Sequence, residues 1–132
     1  MRNTFTYGKK EKLKRRKQIA ELFDSKQTFL YFPVKVWYLQ PAQSMDFFIK
    51  TGVGSNSRHF KKAVHRNRIK RLLREAYRLN KLPLHEYLEK ENKQVILFFL
   101  FVDKVLPEGN ILQKKMPAII REVMKRLHEE AS

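Results

Sequence analysis

An α+β fold is predicted for this chain: an αβββαβα two-layer sandwich in which helices pack on one small mixed sheet. Three observations carry that expectation. Apolar residues recur at helical spacing in three separate segments. Two runs dense in aromatic and β-branched residues lie between them. A length of 132 residues with 42% apolar content suffices for one core, so a single domain over residues 1–132 is expected.

The spacing of Leu13, Ile19, Leu22 and Phe23 predicts a first helix from about Lys12 to Asp24. Just ahead of it, KKEKLKRRK at 9–17 holds seven basic residues and one acid. Cations at a helix start oppose its dipole, so an external anion explains them better than helix stability does. FLYFPVKVWYL at 29–39 is strand chemistry, and Pro33 marks an edge position or a strand start. After the turn-like PAQS, two strand pieces are expected at Phe47–Thr51 and Gly52–Ser57, the second weakened by Gly, Ser and Asn.

A second helix is predicted from about Lys62 to Asn80, because Ile69, Leu72, Leu73 and Ala76 form one apolar stripe. Phe60, Ala63 and Val64 fall on a different side. LPLHEYLEKEN reads as a loop with a short helical turn, and QVILFFLFV as a fully buried strand by its continuous apolar character. Leu112, Met116, Ile119, Ile120, Val123 and Leu127 define a closing amphipathic helix. Its regular part is expected near Lys115, since Pro117 suits a first turn, with Ile111 and Leu112 in a lead-in.

Lys and Arg number 29 against 13 acids, a net charge of +16, which makes a polyanion the expected partner. The most apolar run, Val95–Val102, is too short to cross a bilayer, and residues 1–10 carry neither an amphipathic helix nor a lipidation signal. With no signal-peptide pattern, a cytoplasmic protein without membrane contact is expected. Cysteine is absent and His59, His65, His85 and His128 are scattered, so no protein-built metal site is expected.

The charge is focused. RHFKKAVHRNRIKRLLREAYR at 58–78 holds nine Lys and Arg and one acid, Glu75; with residues 9–17 it accounts for 16 of the 29 basic residues. Arg66, Lys70 and Arg74 follow one another at four-residue spacing, with Asn67, Arg71 and Arg78 beside them, opposite the apolar stripe. Like charges so placed destabilise an isolated helix. A solvated face would interleave acids, whereas Arg forks match phosphate and Asn adds a donor and an acceptor. These residues alone leave open a structural RNA binder of the ribosomal type or a DNA-associated protein.

FKKAVHRNRIKRLLREAYR, with its triplet Arg66, Asn67 and Arg68 followed by Ile69, Lys70 and Arg71, closely resembles the signature helix of the bacterial ribonuclease P protein subunit. The basic N-terminal helix, the aromatic first strand, the late apolar strand and the closing helix also occur in that family's order, so the resemblance covers most of the chain. Ahead of the helix this chain reads SNSRH: Ser57 stands where a lysine is usual, and Arg58 is retained. The resemblance implies a fold like ribosomal protein S5 domain 2. It further implies a protein that binds a catalytic RNA and the 5′ leader of precursor tRNA, assisting Mg²⁺-dependent removal of the leader.

By that resemblance the RNA, with Mg²⁺ bound mainly by the RNA, does the cutting, and no further protein partner is required. The helix and preceding loop assign Arg58, Lys61, Lys62, Arg66, Asn67, Arg68, Lys70, Arg71 and Arg74 to the catalytic RNA. A cleft between the first helix and the sheet would take the single-stranded leader, with Phe5, Lys12, Phe23 and Trp37 as candidates and Tyr31 and Tyr38 as reserves. Unstacked bases gain roughly 1–3 kcal/mol each on aromatic platforms without demanding a sequence. On a strand of period two, either Trp37 or its neighbours Val36 and Tyr38 must face away from the core, and Trp37 is expected to. His59 and His65, beside arginines, could donate to phosphate.

Chemistry by the protein itself is not expected. There is no Ser-His-Asp or Cys-His arrangement, no Gly-rich phosphate loop and no carboxylate pair in an apolar setting. A protein nuclease would need metal-binding carboxylates near the basic face, and with the other acids clustered at Glu86, Glu89 and Glu91 and at Glu129 and Glu130, Glu75 and Asp103 are poor remaining candidates.

Overall fold

The computed structural model describes residues 9–131. A 3-10 turn at Lys9–Glu11 is followed by α1 (Arg16–Asp24), β1 (Thr28–Tyr31), β2 (Val34–Leu39), β3 (Ile49–Ser55), α2 (Ala63–Asn80), α3 (Leu82–Glu91), β4 (Val95–Phe101) and α4 (Ile111–Ala131). This is the expected α+β sandwich with one helix more.

The four strands form a mixed sheet in the order β1-β2-β4-β3. β4 lies inside it, antiparallel to β2 and parallel to β3, with Phe99 level with Val36 and Val53. An interior strand packed on both faces has no use for polar side chains, which is why VILFFLF is apolar throughout. On the inner face Val95, Leu97, Phe99 and Phe101 join Val34, Val36, Tyr38 and Ile49. Against them pack Ile69, Leu73, Ala76 and Tyr77 of α2 and the row Leu112, Met116, Ile119, Ile120, Val123 and Leu127 of α4. The outer face carries Lys35, Trp37, Gly52, Gly54, Phe98 and Leu100, and α1 crosses part of it.

Several boundaries differ from those predicted. The run at 29–39 is two strands, because the chain reverses at Phe32 and Pro33, joined by a cis peptide. Both arms are apolar and the turn has no polar punctuation, so the reversal leaves little trace in the composition. The carbonyl of Pro33 accepts from Val102 N–H at 2.9 Å, tying the turn to the end of β4. Conversely, the two pieces expected at 47–57 are one strand. Its glycines answer to packing: a Cβ at Gly52 would lie 2.9 Å from Phe98 Cδ2, and one at Gly54 would lie 2.8 Å from Phe98 Cζ. The Phe98 ring lies on bare backbone.

α1 begins at Arg16 and not at Lys12. Lys12 bridges to Thr51 in parallel, and Leu13 N–H donates to Thr51 O at 2.8 Å, lining the outer edge of β3. α3 replaces the expected loop. Pro83 sits in its first turn, where no amide is needed. Leu84, His85 and Leu88 face inward, and Asn92 ends it in the left-handed conformation at φ 53°. α4 starts at Ile111, leaving Pro117 inside the helix. Six buried side chains at roughly 1.5–3 kcal/mol each outweigh the roughly 3 kcal/mol lost to an interior proline.

Phe99→Ala, at a fully buried position between β2 and β3, is expected to lower stability by about 3–5 kcal/mol in urea unfolding. Leu100→Ala, one residue on and facing outward, should cost substantially less.

Candidate nucleic-acid interface

α2 is amphipathic over 18 residues, with Ile69, Leu73, Ala76 and Tyr77 turned into the core. Its N-terminus carries no acid in the first turn and no side-chain cap, and Lys61 and Lys62 stand there exposed. The positive end of the helix dipole is thus reinforced, which suits an anion from outside. Glu75, the acid of this stretch, is taken by Arg78, whose guanidinium donates from Nε at 3.2 Å. That bond holds the Glu75 carboxyl below its usual range and raises Arg78.

Arg66 turns back along the chain. Its Nη1 donates to the carbonyl oxygens of Phe60 at 2.8 Å and Lys61 at 2.6 Å. Phe60 is buried against Phe101, with ring centroids 6.0 Å apart. Asn56 Oδ1 accepts from Arg58 N–H at 2.8 Å. Together these contacts shape the loop that presents Arg58, Lys61 and Lys62.

The remaining basic residues divide between two sides of α2. Asn67, Arg68 and Arg71, with Val64 and His65, line a shallow groove. Lys70 and Arg74 face the other way and, with Lys12, Lys14, Leu13, Thr51, Gly52, Val53 and Phe98, line a hollow along β3. The hollow continues onto the outer sheet face. There Phe23 of α1 meets Trp37 and Phe98 edge-on, with centroids 5.1 and 5.2 Å away, and Trp37 and Phe98 lie 6.1 Å apart. Lys35 Nζ stands 4.8 Å over the Trp37 ring. Phe23 is 37% exposed, and the other two rings are half-buried. An aromatic floor beside a cationic rim can take the bases and the phosphates of a single strand at once.

Three comparisons bear on this architecture. The family model for Ribonuclease P matches residues 7–98. The chain belongs to the ribonuclease P protein family. Ribonuclease P protein components from two strains of Porphyromonas gingivalis are 33% identical to it over 113 residues, which is 86% of this chain and 82% of each relative. The Staphylococcus aureus RNase P protein structure shares the fold, with a TM-score of 0.55 at 15% identity, covering 89% of this chain and 94% of that one. As a member of this family, the chain is a protein component of ribonuclease P.

In this ribonuclease P protein the nine residues expected on the docking helix and its loop do not form one surface. Arg58, Lys61 and Lys62 are exposed in the loop, Arg66 is bound to that loop, and Asn67, Arg68 and Arg71 share the outward groove. Lys70 and Arg74 instead join Lys12 at the hollow. Phe23 and Trp37 do come together. Phe5 lies outside the described residues. Tyr31 is 36% exposed on the hairpin, away from the aromatic floor. Tyr38 is corrected to a core residue, 7% exposed beside Phe29, with the Arg126 guanidinium 6.0 Å from its ring centroid. His59 is exposed beside Arg58, and His65 lines the outward groove.

Sequence reasoning missed Lys14, Phe98 and the two glycines. The signal for Phe98 was present: a Gly-x-Gly alternation puts both glycines on one face, where a neighbouring ring can lie.

Arg66→Ala is expected to lower unfolding stability by about 1.5 kcal/mol, the scale of charge-assisted hydrogen bonds. Arg68→Ala, exposed and one step outward, should leave the urea midpoint unchanged.

Proposed function

We propose that this chain binds the catalytic RNA of ribonuclease P through the outward side of α2 and the loop before it, and holds the 5′ leader of precursor tRNA in the aromatic hollow. One observation supports this reading above the rest: α2 offers cations on two sides, and only one side adjoins an aromatic floor. A structural RNA binder has no need of a sequence-tolerant single-strand site; a protein that meets many precursors does.

On this reading Arg68 and Arg71, with Arg58, Lys61 and Lys62, neutralise phosphates of the catalytic RNA. Lys12, Lys14, Lys70 and Arg74 do so along the leader, while Phe23, Trp37 and Phe98 stack its bases. Mature tRNA lacks the leader and gains nothing from the hollow, so the protein favours substrate over product. Neutralisation also lowers the Mg²⁺ that folding and cleavage require, because fewer phosphates are left for the metal to screen. The Mg²⁺ and the hydrolytic step belong, on this reading, to the RNA, and no residue of the protein is assigned to either. No described helix is long and apolar enough to cross a membrane. On this reading the protein works in the cytoplasm beside its RNA partners.

Cleavage of a 5′-extended precursor tRNA at low Mg²⁺, with the catalytic RNA alone, the protein alone and both together, tests the assignment. Only the mixture should cut, at the mature 5′ end; a mixture no faster than RNA alone would return the chain to the structural RNA binders, and cutting by the protein alone would refute the division of labour.

Two substitutions separate the sites. Trp37→Ala should weaken binding of leader-bearing RNA by roughly 1–3 kcal/mol, one stacked base, and leave leaderless tRNA unaffected. Arg68→Ala with Arg71→Ala should reduce the salt slope of assembly with the catalytic RNA by about 1.8, the share of two duplex phosphates.

A further inference from the structure

Glu11 is the one acid in the basic stretch at 9–17, and it is 6% exposed. Its Oε1 accepts from Lys81 Nζ at 2.6 Å. Its Oε2 accepts from the Tyr77 hydroxyl at 3.1 Å, and that hydroxyl lies 2.8 Å from His85 Nε2. Lys81, at the junction of α2 and α3, is 1% exposed. On the main chain, Thr51 Oγ1 donates to the Glu11 carbonyl at 3.4 Å. Two residues on, Leu13 N–H donates to Thr51 O at 2.8 Å. The helix junction is therefore tied to the Glu11 carboxylate, and the strand edge to the main chain of Glu11 and Leu13, so the three meet at one residue.

Stability is a poor reason for such a cluster. A buried ion pair loses hydration on both sides, and apolar residues of similar size commonly do as well or better. Geometry is a better one. Lys12 and Lys14 follow Glu11 closely and line the hollow with Lys70 and Arg74, and among the described residues no acid lines it. Four cations facing one another repel, and a segment with seven basic residues on a protein of charge +16 is pushed outward.

We propose that Glu11 is a positioning residue: anchored by Lys81 and Tyr77, it holds the N-terminal segment on the β3 edge so that Lys12 and Lys14 face Lys70 and Arg74 as a preformed cradle for a single-stranded phosphate chain. This rests on reading the hollow as the leader site. Preforming the cradle removes the ordering cost of two long cationic side chains and their backbone from the binding step.

The test uses the full-length protein with the catalytic RNA, and leader-bearing against leaderless tRNA as probes. Glu11→Ala is combined with Lys81→Met so that no buried charge is left unpaired; Lys12→Ala with Lys14→Ala is the companion. Both pairs are expected to abolish most of the preference for leader-bearing RNA and to reduce its salt slope by about 1.4, the share of two single-strand phosphates. Affinity for leaderless tRNA and for the catalytic RNA should hold. If the lysine pair loses the preference and the Glu11 pair keeps it, the anchor is structural only and the inference fails while the leader site stands. If neither changes it, the leader site and the inference fall together. Equal losses for both tRNAs, with a lowered Tm, would also overturn positioning. Glu11→Gln alone is a milder lesion for use if the double variant does not fold; a partial loss of preference is expected, and an unchanged one overturns the inference.

Discussion

β4 pairs with β2 along one edge and with β3 along the other, so the antiparallel hairpin and the parallel crossover can coexist only if this strand is satisfied on both sides. Its alternate residues then decide the two faces. Val95, Leu97, Phe99 and Phe101 are buried under α2 and α4. Phe98 turns the other way and meets Phe23 and Trp37. Core and hollow are therefore two sides of one strand. A one-residue slip would exchange them, placing aromatic floor residues in the core and core residues in the groove.

The acids are few and are placed away from the faces that must stay positive. Glu11 is buried against Lys81 and Tyr77. Glu75 is held by Arg78, Glu122 by Arg126 and Asp46 by Lys50. Glu130 accepts from Gln27 and Gln40, joining the end of α4 to the loops around the β1–β2 hairpin. Exposed pairs of this kind contribute little to stability. Their effect is electrostatic housekeeping: Glu75, Glu122 and Asp46 each cancel a neighbouring cation and none of them faces the hollow or the outward groove of α2.

The parts of the fold with strong periodicity were legible in the sequence. α2 and α4 announced themselves by apolar stripes, and β4 by an unbroken apolar run. The hairpin was hidden because Phe32 and Pro33 interrupt an aromatic run with residues that strands also tolerate. α3 was hidden because its inward positions, Leu84, His85 and Leu88, are too few to make a stripe among charges. For the site, charge density selected the right helix, yet density carries no direction. That Lys70 and Arg74 turn toward Lys12 while Arg68 and Arg71 turn away follows only from where β3 lies beside α2. Glu11 was likewise invisible: a lone acid in a basic run looks like a solvated residue until Lys81, Tyr77 and His85, about seventy residues on, are folded over it.

Gly52 and Gly54 let the Phe98 ring rest on the β3 backbone, and this sets how far the floor of the hollow lies below its rim. A methyl group at either glycine would meet that ring before any neighbouring backbone, so Phe98 and the rings packed on it would have to shift to admit it. The gauge of the groove is thus set where the β3 glycines meet the β4 ring. A lineage under pressure to admit a thicker or thinner chain has two positions at which a single codon change reaches the floor of the groove directly.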